Sequence, residues 1–171
     1  MKKLLLVLIL FFTLNIFSQK EANFWFFGEN AGLNFTSNPP NALEGRLFTD
    51  EGSASISNAN GELQFYTDGS TVFNRSNQTM TNGTGLLGDS SSAQSAIIVP
   101  KPLSNTIYYI FTVGNQQAND NQGNGVAFSV VDMSLSSGLG AVTTKNTPLV
   151  SSEFAREKIT AVRGIDCNTF W

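Results

Sequence analysis

Short runs of apolar residues, separated by turn residues, follow one another along most of the chain. An aromatic run at residues 24–27 ends at a Gly-Glu-Asn turn, and residues 33–35 follow before a breaker, Asn-Pro-Pro-Asn, at 38–41. Runs of this length, bounded by Gly, Pro and Asn, are typical of β-strands. The pattern therefore predicts strand, turn and strand in succession, and no segment has the period and length of a convincing helix.

A hairpin signal marks the first repeated unit. The runs 53–57 and 62–67 flank Asn58-Ala59-Asn60-Gly61. Gly and Asn accept the positive φ that a tight hairpin turn requires. Asp68-Gly69 then turns the chain into another run at 70–74. The sequence predicts a meander of three antiparallel strands here.

Later residues repeat this plan. Runs at 95–100, 106–113 and 126–132 predict a second meander, and a third unit opens at 158–163 and starts a strand at 169–171. The run 106–113 is rich in β-branched and aromatic residues and is apolar almost throughout. That composition predicts a central strand that is buried on both faces.

The first strands of the three units align with one another. They read Ser-Ala-Ser-Ile at 53–56, Ser-Ala-Ile-Ile at 95–98 and Thr-Ala-Val at 160–162. Repetition of a meander at periods of several tens of residues is typical of blade arrays. We therefore predict an all-β fold, a partial β-propeller-like array of antiparallel meander blades. Because a ring needs at least four blades, we expect the chain to be the truncated N-terminal part of such a domain. The alternative is a small β-sandwich that is complete as given.

The amino terminus has the pattern of a secretory signal peptide. Two lysines precede an apolar run at residues 4–12, and the run weakens towards Ser18. The apolar stretch is shorter than the about 20 residues of a transmembrane helix. We expect a signal peptide over 1–18, cleaved between Ser18 and Gln19, which makes the export machinery a partner and leaves no membrane span. The mature domain would be 19–171, exported to the medium or the outer cell surface. An uncleaved membrane anchor is the alternative.

Composition and charge limit the classes of ligand that the protein is expected to bind. Charged residues make up 13% of the chain, and the formal net charge is −3. No basic patch is present, which argues against nucleic acid and against anionic membranes. A neutral polar surface suits an extracellular glycan or protein, a divalent cation, or no specific ligand. The single cysteine, Cys167, cannot form a disulfide within the chain. Its role stays open between a half-buried strand residue and a partner for a cysteine elsewhere.

The sequence offers few candidate catalytic residues. The sequence contains no histidine, which excludes Ser-His-Asp and Cys-His catalysis and His-ligated metal sites within it. A glycoside hydrolase needs two carboxylates, and Asp50, Glu51, Asp68 and Asp89 are the candidates. Asp68 lies in an Asp-Gly turn, where Asp is expected for backbone reasons. We therefore expect no catalytic residue and no bound organic cofactor.

Calcium is the cofactor that the sequence leaves open. Asn119, Asp120 and Asn121 lie in an oxygen-rich stretch, and Ca²⁺ takes six to eight oxygen ligands. The stretch lacks the carboxylate spacing and the final Glu of an EF-hand loop, and a hairpin loop explains it more simply.

Aromatic residues offer a third kind of site. Trp25, Tyr66, Tyr108 and Tyr109 could stack on sugar rings. All four lie within apolar runs, and this position favours core packing.

Four segments carry a resemblance to a known family: residues 24–35, 61–69, 82–88 and 94–102. They resemble the amino-terminal propeller-like region of large secreted Bacteroidetes proteins. Those proteins are often labelled gliding-motility-associated and end in a type IX (type B) sorting domain. The likeness runs from about residue 23 to 163.

The chain departs from this family in three ways. The family often has Trp where this chain has Phe73, and His near the position of Gly164. No sorting domain is present in the sequence. The resemblance implies transport across the outer membrane but supplies no defined biochemical activity. The blade-like repetition, the export signal and the few candidate site residues predict an exported, non-catalytic surface protein that acts in adhesion or binds an extracellular polymer or glycan. A secreted glycan-active hydrolase whose site lies in further blades and a structural spacer without a ligand are the alternatives.

Overall fold

The computed structural model describes residues 20–114, 125–151, 155–165 and 168–171. The expected cleavage site at Ser18 and Gln19 lies outside these residues. So do Cys167 and the calcium candidates Asn119, Asp120 and Asn121. Within the described residues no helix has the length and apolar character needed to cross a membrane.

A three-stranded antiparallel sheet, here called the small sheet, opens the structure. It comprises β1 (Phe24–Phe27), β2 (Glu29–Asn34) and β3 (Asn41–Phe48), in that spatial order. β1 alternates sharply, because Phe26 is buried whereas the two residues beside it are exposed. The strand forms because this alternation turns Phe24 and Phe26 towards the interior and leaves Trp25 and Phe27 on the outer face.

Eight further strands form one larger sheet. Their spatial order is β4-β5-β6-β7-β11-β10-β9-β8, so two antiparallel meanders are joined at β7 and β11. The join is a parallel bridge between Thr81 and Ala141. The strands are β4 (Ala54–Ser57), β5 (Leu63–Thr67), β6 (Thr71–Asn74), β7 (Thr79–Thr84), β8 (Ala96–Pro100), β9 (Ile107–Val113), β10 (Val126–Asp132) and β11 (Ala141–Val150). Short 3-10 turns lie at Lys20–Ala22 and Ser136–Gly138.

The main core lies between the two meanders of the larger sheet. Phe65 and Val72 from the first meander and Ile110 and Val131 from the second are fully buried in one cluster. The predicted all-β fold and its antiparallel meanders are confirmed. Because the two meanders share one sheet and enclose one core, the body is barrel- or sandwich-like, as in the alternative that the sequence left open.

A second, smaller core fixes the small sheet to the larger one. Phe26 and Leu47 of the small sheet pack with Tyr66 of β5. β5 is therefore covered on both faces. Phe65 and Tyr66, which are adjacent in β5 and point to opposite faces, are both completely buried.

The strand predicted to be central, now β9, pairs with β8 on one side and β10 on the other. The centrality of β9 is confirmed, but the expectation of burial on both faces is wrong. Tyr108 and Ile110 are buried, whereas Tyr109 and Phe111 on the opposite face are half-buried. The strand with two buried faces is β5, because the small sheet covers its second face.

The predicted third unit forms a short hairpin. Val162 and Trp171 exchange two backbone hydrogen bonds of 2.8 and 2.9 Å, and the N–H of Gly164 donates to the carbonyl of Thr169 at 2.8 Å. Residues 158–161, before the hairpin, belong to no strand, although a strand was predicted to open there.

Candidate functional site

A cleft of about 480 Å³ opens where the edges of the sheets meet. β1 is an end strand of the small sheet, and β4 and β8 are the two end strands of the larger sheet. All three line the cleft. The lining comprises residues 25–27, 53–55, 94, 96–98 and 160–161.

The cleft joins the first strands of the three aligned units. Segments 53–55, 96–98 and 160–161 all contribute to it. The alignment also holds in the pairing, since Ala54 lies opposite Thr67 and Ala96 lies opposite Thr112. The repeat in the sequence therefore identified two strands and a third segment that the fold brings together, although it did not predict a cleft.

Two serine hydroxyls join β1 to β4. The N–H of Phe26 donates to Oγ of Ser55 at 2.9 Å, and Oγ of Ser53 donates to the carbonyl of Phe26 at 2.9 Å. These side chains satisfy the N–H and C=O that the edge strand β1 directs outward at Phe26. Sequence analysis missed this role, and its only trace was the Ser-Ala-Ser alternation at 53–55.

Exposed aromatic rings cover the outer face of the small sheet beside the cleft. Trp25 is 52% exposed, Phe27 40% and Phe35 39%. Trp25 lies opposite Leu33, and the N–H of Phe35 donates to the carbonyl of Asn23, so the three rings share one face. We call Trp25, Phe27, Leu33 and Phe35 the aromatic face.

The indole of Trp25 is held in a fixed place on this face. Its Nε1 donates to the carbonyl of Ala22 at 2.9 Å, and its ring centroid lies 5.0 Å from that of Phe35. Core packing, predicted for Trp25, is therefore wrong, because no further layer of described residues covers this side of the small sheet. The same prediction is confirmed for Tyr66 and Tyr108, which are buried, whereas Tyr109 is half-buried.

The chemistry of the cleft is neutral. Among the described residues that line it, none has an ionisable side chain. The lining offers aromatic rings, aliphatic groups, the hydroxyl of Thr160 and the amide of Gln94. Such a surface can bind a ligand, and its described residues supply no general acid or base.

The carboxylates considered for catalysis lie elsewhere and shape turns. Oδ1 of Asp68 accepts hydrogen bonds from the N–H and the hydroxyl of Ser70 and from the N–H of Thr71, at 2.7 to 2.8 Å. Oδ1 of Asp89 accepts from the N–H and the hydroxyl of Ser91 at 2.9 and 2.8 Å. The backbone role predicted for Asp68 is confirmed.

The remaining two carboxylates are exposed on a loop. The N–H groups of Asp50 and Glu51 both donate to the carbonyl of Ser90, at 3.1 and 3.2 Å. This contact brings the loop of Asp50 to the turn of Asp89, but neither side chain belongs to the lining of the cleft. Among the described residues there is also no group of three or more Asp, Glu, Cys or His side chains that could hold a metal ion.

The chain was compared with protein-family models, with curated proteins and with solved structures, and no match was found.

Proposed function

We propose that this protein is an exported, non-catalytic binding protein that holds a neutral extracellular glycan on its aromatic face. One observation carries the proposal: Trp25, Phe27 and Phe35 are all substantially exposed on one face of the small sheet, beside an uncharged cleft.

Exposure of these rings has a physical cost. Burial of an aromatic side chain is worth about 2 to 3 kcal/mol, and a protein without a ligand for this face gains nothing by leaving three rings in water. Contiguous exposed apolar surface usually marks a binding site. The flat faces of Trp25 and Phe35 suit the apolar faces of sugar rings, whose hydroxyls point outward at the rim.

The polar groups nearby suit the same ligand. Gln94 and Thr160 line the cleft with an amide and a hydroxyl, and both can donate to and accept from sugar hydroxyls. Because the lining has no charge and the chain has a net charge of −3, an anionic glycan would gain no ion pair and would be weakly repelled. A neutral polysaccharide is therefore favoured.

Export supports an extracellular ligand. The signal-peptide pattern of residues 1–18 directs the chain out of the cytoplasm. The resemblance to secreted gliding-motility-associated proteins points to the outer surface of the cell, with adhesion or matrix attachment as the role.

The test is binding of neutral glycans by the purified protein. It would be screened against an array of neutral and anionic polysaccharides, and hits would be measured by calorimetry. Trp25→Ala and Phe35→Ala should each weaken binding about tenfold or more, as loss of a central aromatic contact does. Leu149→Ala is the control, because Leu149 is 52% exposed on β11 of the larger sheet and lies outside both the small sheet and the lining of the cleft.

Three results would count against the proposal. One is retention of no neutral glycan. Another is equal loss of binding in the Trp25→Ala and Leu149→Ala variants while circular dichroism shows both to be folded. The third is release of reducing sugar that disappears in an Asp89→Asn or Glu51→Gln variant, since that result would make the protein a hydrolase.

A further inference from the structure

The exposed rings of the aromatic face occupy two successive positions along β1. Trp25 and Phe35 form the first, here called the paired position, with ring centroids 5.0 Å apart and planes inclined by 52°. Phe27 forms the second, here called the single position, two residues further along the strand. Residues i and i+2 of a strand point to the same face and lie about 7 Å apart. The two positions therefore lie in a line parallel to β1.

The paired position is held in place before any ligand binds. Trp25 donates to the carbonyl of Ala22 at 2.9 Å, and its ring packs against that of Phe35. An aromatic side chain that is already fixed loses little rotamer freedom when a ligand binds. Two rings at this separation offer a surface about as wide as one sugar ring. The paired position therefore suits one sugar unit.

Beside the single position, the sheet has a low floor and then a carboxylate. Phe27 lies directly opposite Ala31 on β2, and Ala31 lies directly opposite Glu44 on β3. Residues that pair in this way point to one face, and two strand spacings amount to about 10 Å. The carbonyl of Glu44 accepts from Nδ2 of Asn77 at 3.1 Å, which fixes β3 at this row. Because Ala31 has only a methyl group, a sugar ring fits between the ring of Phe27 and the exposed side chain of Glu44.

We infer that the aromatic face takes two consecutive units of a linear neutral polysaccharide whose hexopyranose rings are joined by equatorial bonds. One unit lies against Trp25 and Phe35, and the next lies against Phe27, where the carboxylate of Glu44 accepts hydrogen bonds from its hydroxyls. The inference rests on the proposed glycan function. It adds to that function the geometry of the linkage and a residue that contributes to specificity.

The line of the two positions favours an equatorial linkage. Equatorial bonds extend a chain of hexopyranoses into a flat ribbon, whose successive units lie in line over a flat surface. An axial bond curves the chain into a helix and lifts the next ring away from such a surface. The step of about 7 Å between Trp25 and Phe27 is comparable to the length of one hexopyranose unit with its bridging oxygen. The outer face of the small sheet therefore matches a ribbon.

The carboxylate of Glu44 adds a polar contact at the second unit. An ionised carboxylate has two oxygens that only accept hydrogen bonds, so it pairs with the hydroxyl donors of a sugar. Hydrogen bonds to a charged group are shorter and stronger than those between neutral groups. The same charge repels a uronic acid or a sulfated unit at this place. Glu44 should therefore favour a neutral sugar with free hydroxyls at the single position.

The end of β1 limits the number of units that gain a ring contact. The strand ends at Phe27, and the chain turns at Gly28, whose φ is +56°. A polymer that continues past Phe27 leaves this strand, and β1 supplies no further ring to it. The affinity should therefore rise with chain length until both positions are filled, and then level off.

The first test uses the unsubstituted protein and NMR titration with oligosaccharides of two linkage types. Cello- and manno-oligosaccharides have equatorial bonds, whereas malto-oligosaccharides have an axial bond at each linkage. In the tighter equatorial series, the trisaccharide should bind about tenfold or more tightly than the methyl glycoside of its monosaccharide. The hexasaccharide should bind within about fivefold of the trisaccharide, and maltotriose about tenfold or more weakly. None of these results depends on the folding of a variant.

The second test assigns the single position. Phe27→Ala should weaken binding of the trisaccharide about fivefold or more and change that of the methyl glycoside less than about twofold. Leu149→Ala is its control. Glu44→Gln should weaken binding of the trisaccharide about threefold or more, because the charged acceptor is lost. Glu51→Gln is the matched control, since it removes the same charge from an exposed loop outside the small sheet and the cleft. Both controls should change the affinity less than about twofold.

The inference would be overturned by equal affinities for the axial and equatorial trisaccharides, or by a trisaccharide that binds no tighter than the methyl glycoside. It would also be overturned if Phe27→Ala kept the full difference between those two ligands, or if Glu44→Gln and Glu51→Gln bound the trisaccharide equally. In each of these cases, loss of glycan binding in Trp25→Ala would still support the proposed function. Binding of no neutral glycan would refute the proposed function and the inference together.

Discussion

The ring of Phe26 stacks on the ring of Tyr66, with centroids 4.0 Å apart and an interplanar angle of 14°. Phe26 belongs to the small sheet and Tyr66 to β5 of the larger sheet, so this pair joins the two bodies. The ring of Tyr66 also packs with that of Phe73, with centroids 5.5 Å apart. The small sheet, with its aromatic face, is thus held in place by a cluster of three rings, of which Phe26 and Tyr66 are buried.

Removal of the first ring should destabilise the protein strongly. Phe26→Ala takes away a side chain that is 4% exposed and leaves a cavity against Tyr66. The expected loss is about 3 to 5 kcal/mol in the free energy of unfolding, measured by urea denaturation. Phe48→Ala removes the same group from a side chain that is 68% exposed, and should change stability by about 0.5 kcal/mol or less. Similar losses in the two variants would contradict this account of how the sheets are joined.

The hydroxyl of Tyr66 should contribute separately from its ring. It donates to Oδ1 of Asn77 at 2.8 Å, whereas Tyr66→Phe keeps the stack and loses this bond. We expect a loss of about 1 kcal/mol at neutral pH. A double-mutant cycle with Asn77→Ala isolates the bond. A coupling free energy near zero would show that the hydroxyl is not stabilised by Asn77.

Alkaline pH should weaken the protein through the same tyrosine. Burial raises the pKa of Tyr66 from 10.0 to about 12, and the backbone bond and the charge of Arg46 oppose this only in part. The unfolded chain releases the proton near pH 10 and the folded chain near pH 12. The stabilisation is therefore complete below pH 10 and is lost as the pH rises to 12. Burial also raises the pKa of Tyr108, so the stability of the parent alone reports on both tyrosines. The informative quantity is the difference in the free energy of unfolding between the parent and Tyr66→Phe. That difference should shrink across this interval, and a constant difference would refute the prediction.

Gly69 should resist substitution for two reasons. Its φ is +91°, and a Cβ at this position would collide with Oγ and Cβ of Ser95. Gly85 has a φ of +71° but open space around it. Gly85→Ala should therefore cost about 1 to 2 kcal/mol for its left-handed backbone alone, and Gly69→Ala should cost clearly more, because the collision adds to that strain. The midpoint temperatures of thermal unfolding of the two variants give the comparison. Equal decreases in the two midpoints would mean that Ser95 moves aside freely.

Some of these relationships were accessible from the sequence. β10 has the predicted bounds, Val126–Asp132, because five of its seven residues are apolar, most of them β-branched or aromatic. Three strands were missed: β3, β7 and β11. β7 reads Thr-Met-Thr-Asn-Gly-Thr, with only Met80 and Gly83 buried, so its strand conformation comes from pairing with β6 and β11 rather than from its own pattern.

The candidate site was less predictable than the fold. The alignment of first strands identified residues that now share the cleft, but a sequence pattern cannot show which strand edges stay unpartnered. Trp25 was misassigned to the core because alternation tells which residues share a face and not which face is covered. The Asp-x-Ser turns were also missed as a set, although Asp68, Asp89 and Asp132 each accept hydrogen bonds from the serine two positions later.

Asp132 offers a direct test of these turns. Its Oδ1 accepts from the hydroxyl of Ser134 at 2.6 Å and from the N–H of the same residue at 2.9 Å. The hydroxyl bond, followed by the backbone bond, lowers the pKa of Asp132 below its usual value of 3.8. Bonds that favour the charged carboxylate stabilise the fold above pH 3.8, and this contribution is lost as the pH falls through the lower pKa of the folded state.

In Ser134→Ala the hydroxyl bond is gone while the backbone bond remains, so the pKa of Asp132, followed by carboxyl NMR, should rise part of the way towards 3.8. Thr143→Ala, on the neighbouring strand, should leave it unchanged. A pKa of Asp132 that is equal in the parent and in Ser134→Ala would show that the turn is held by its backbone alone.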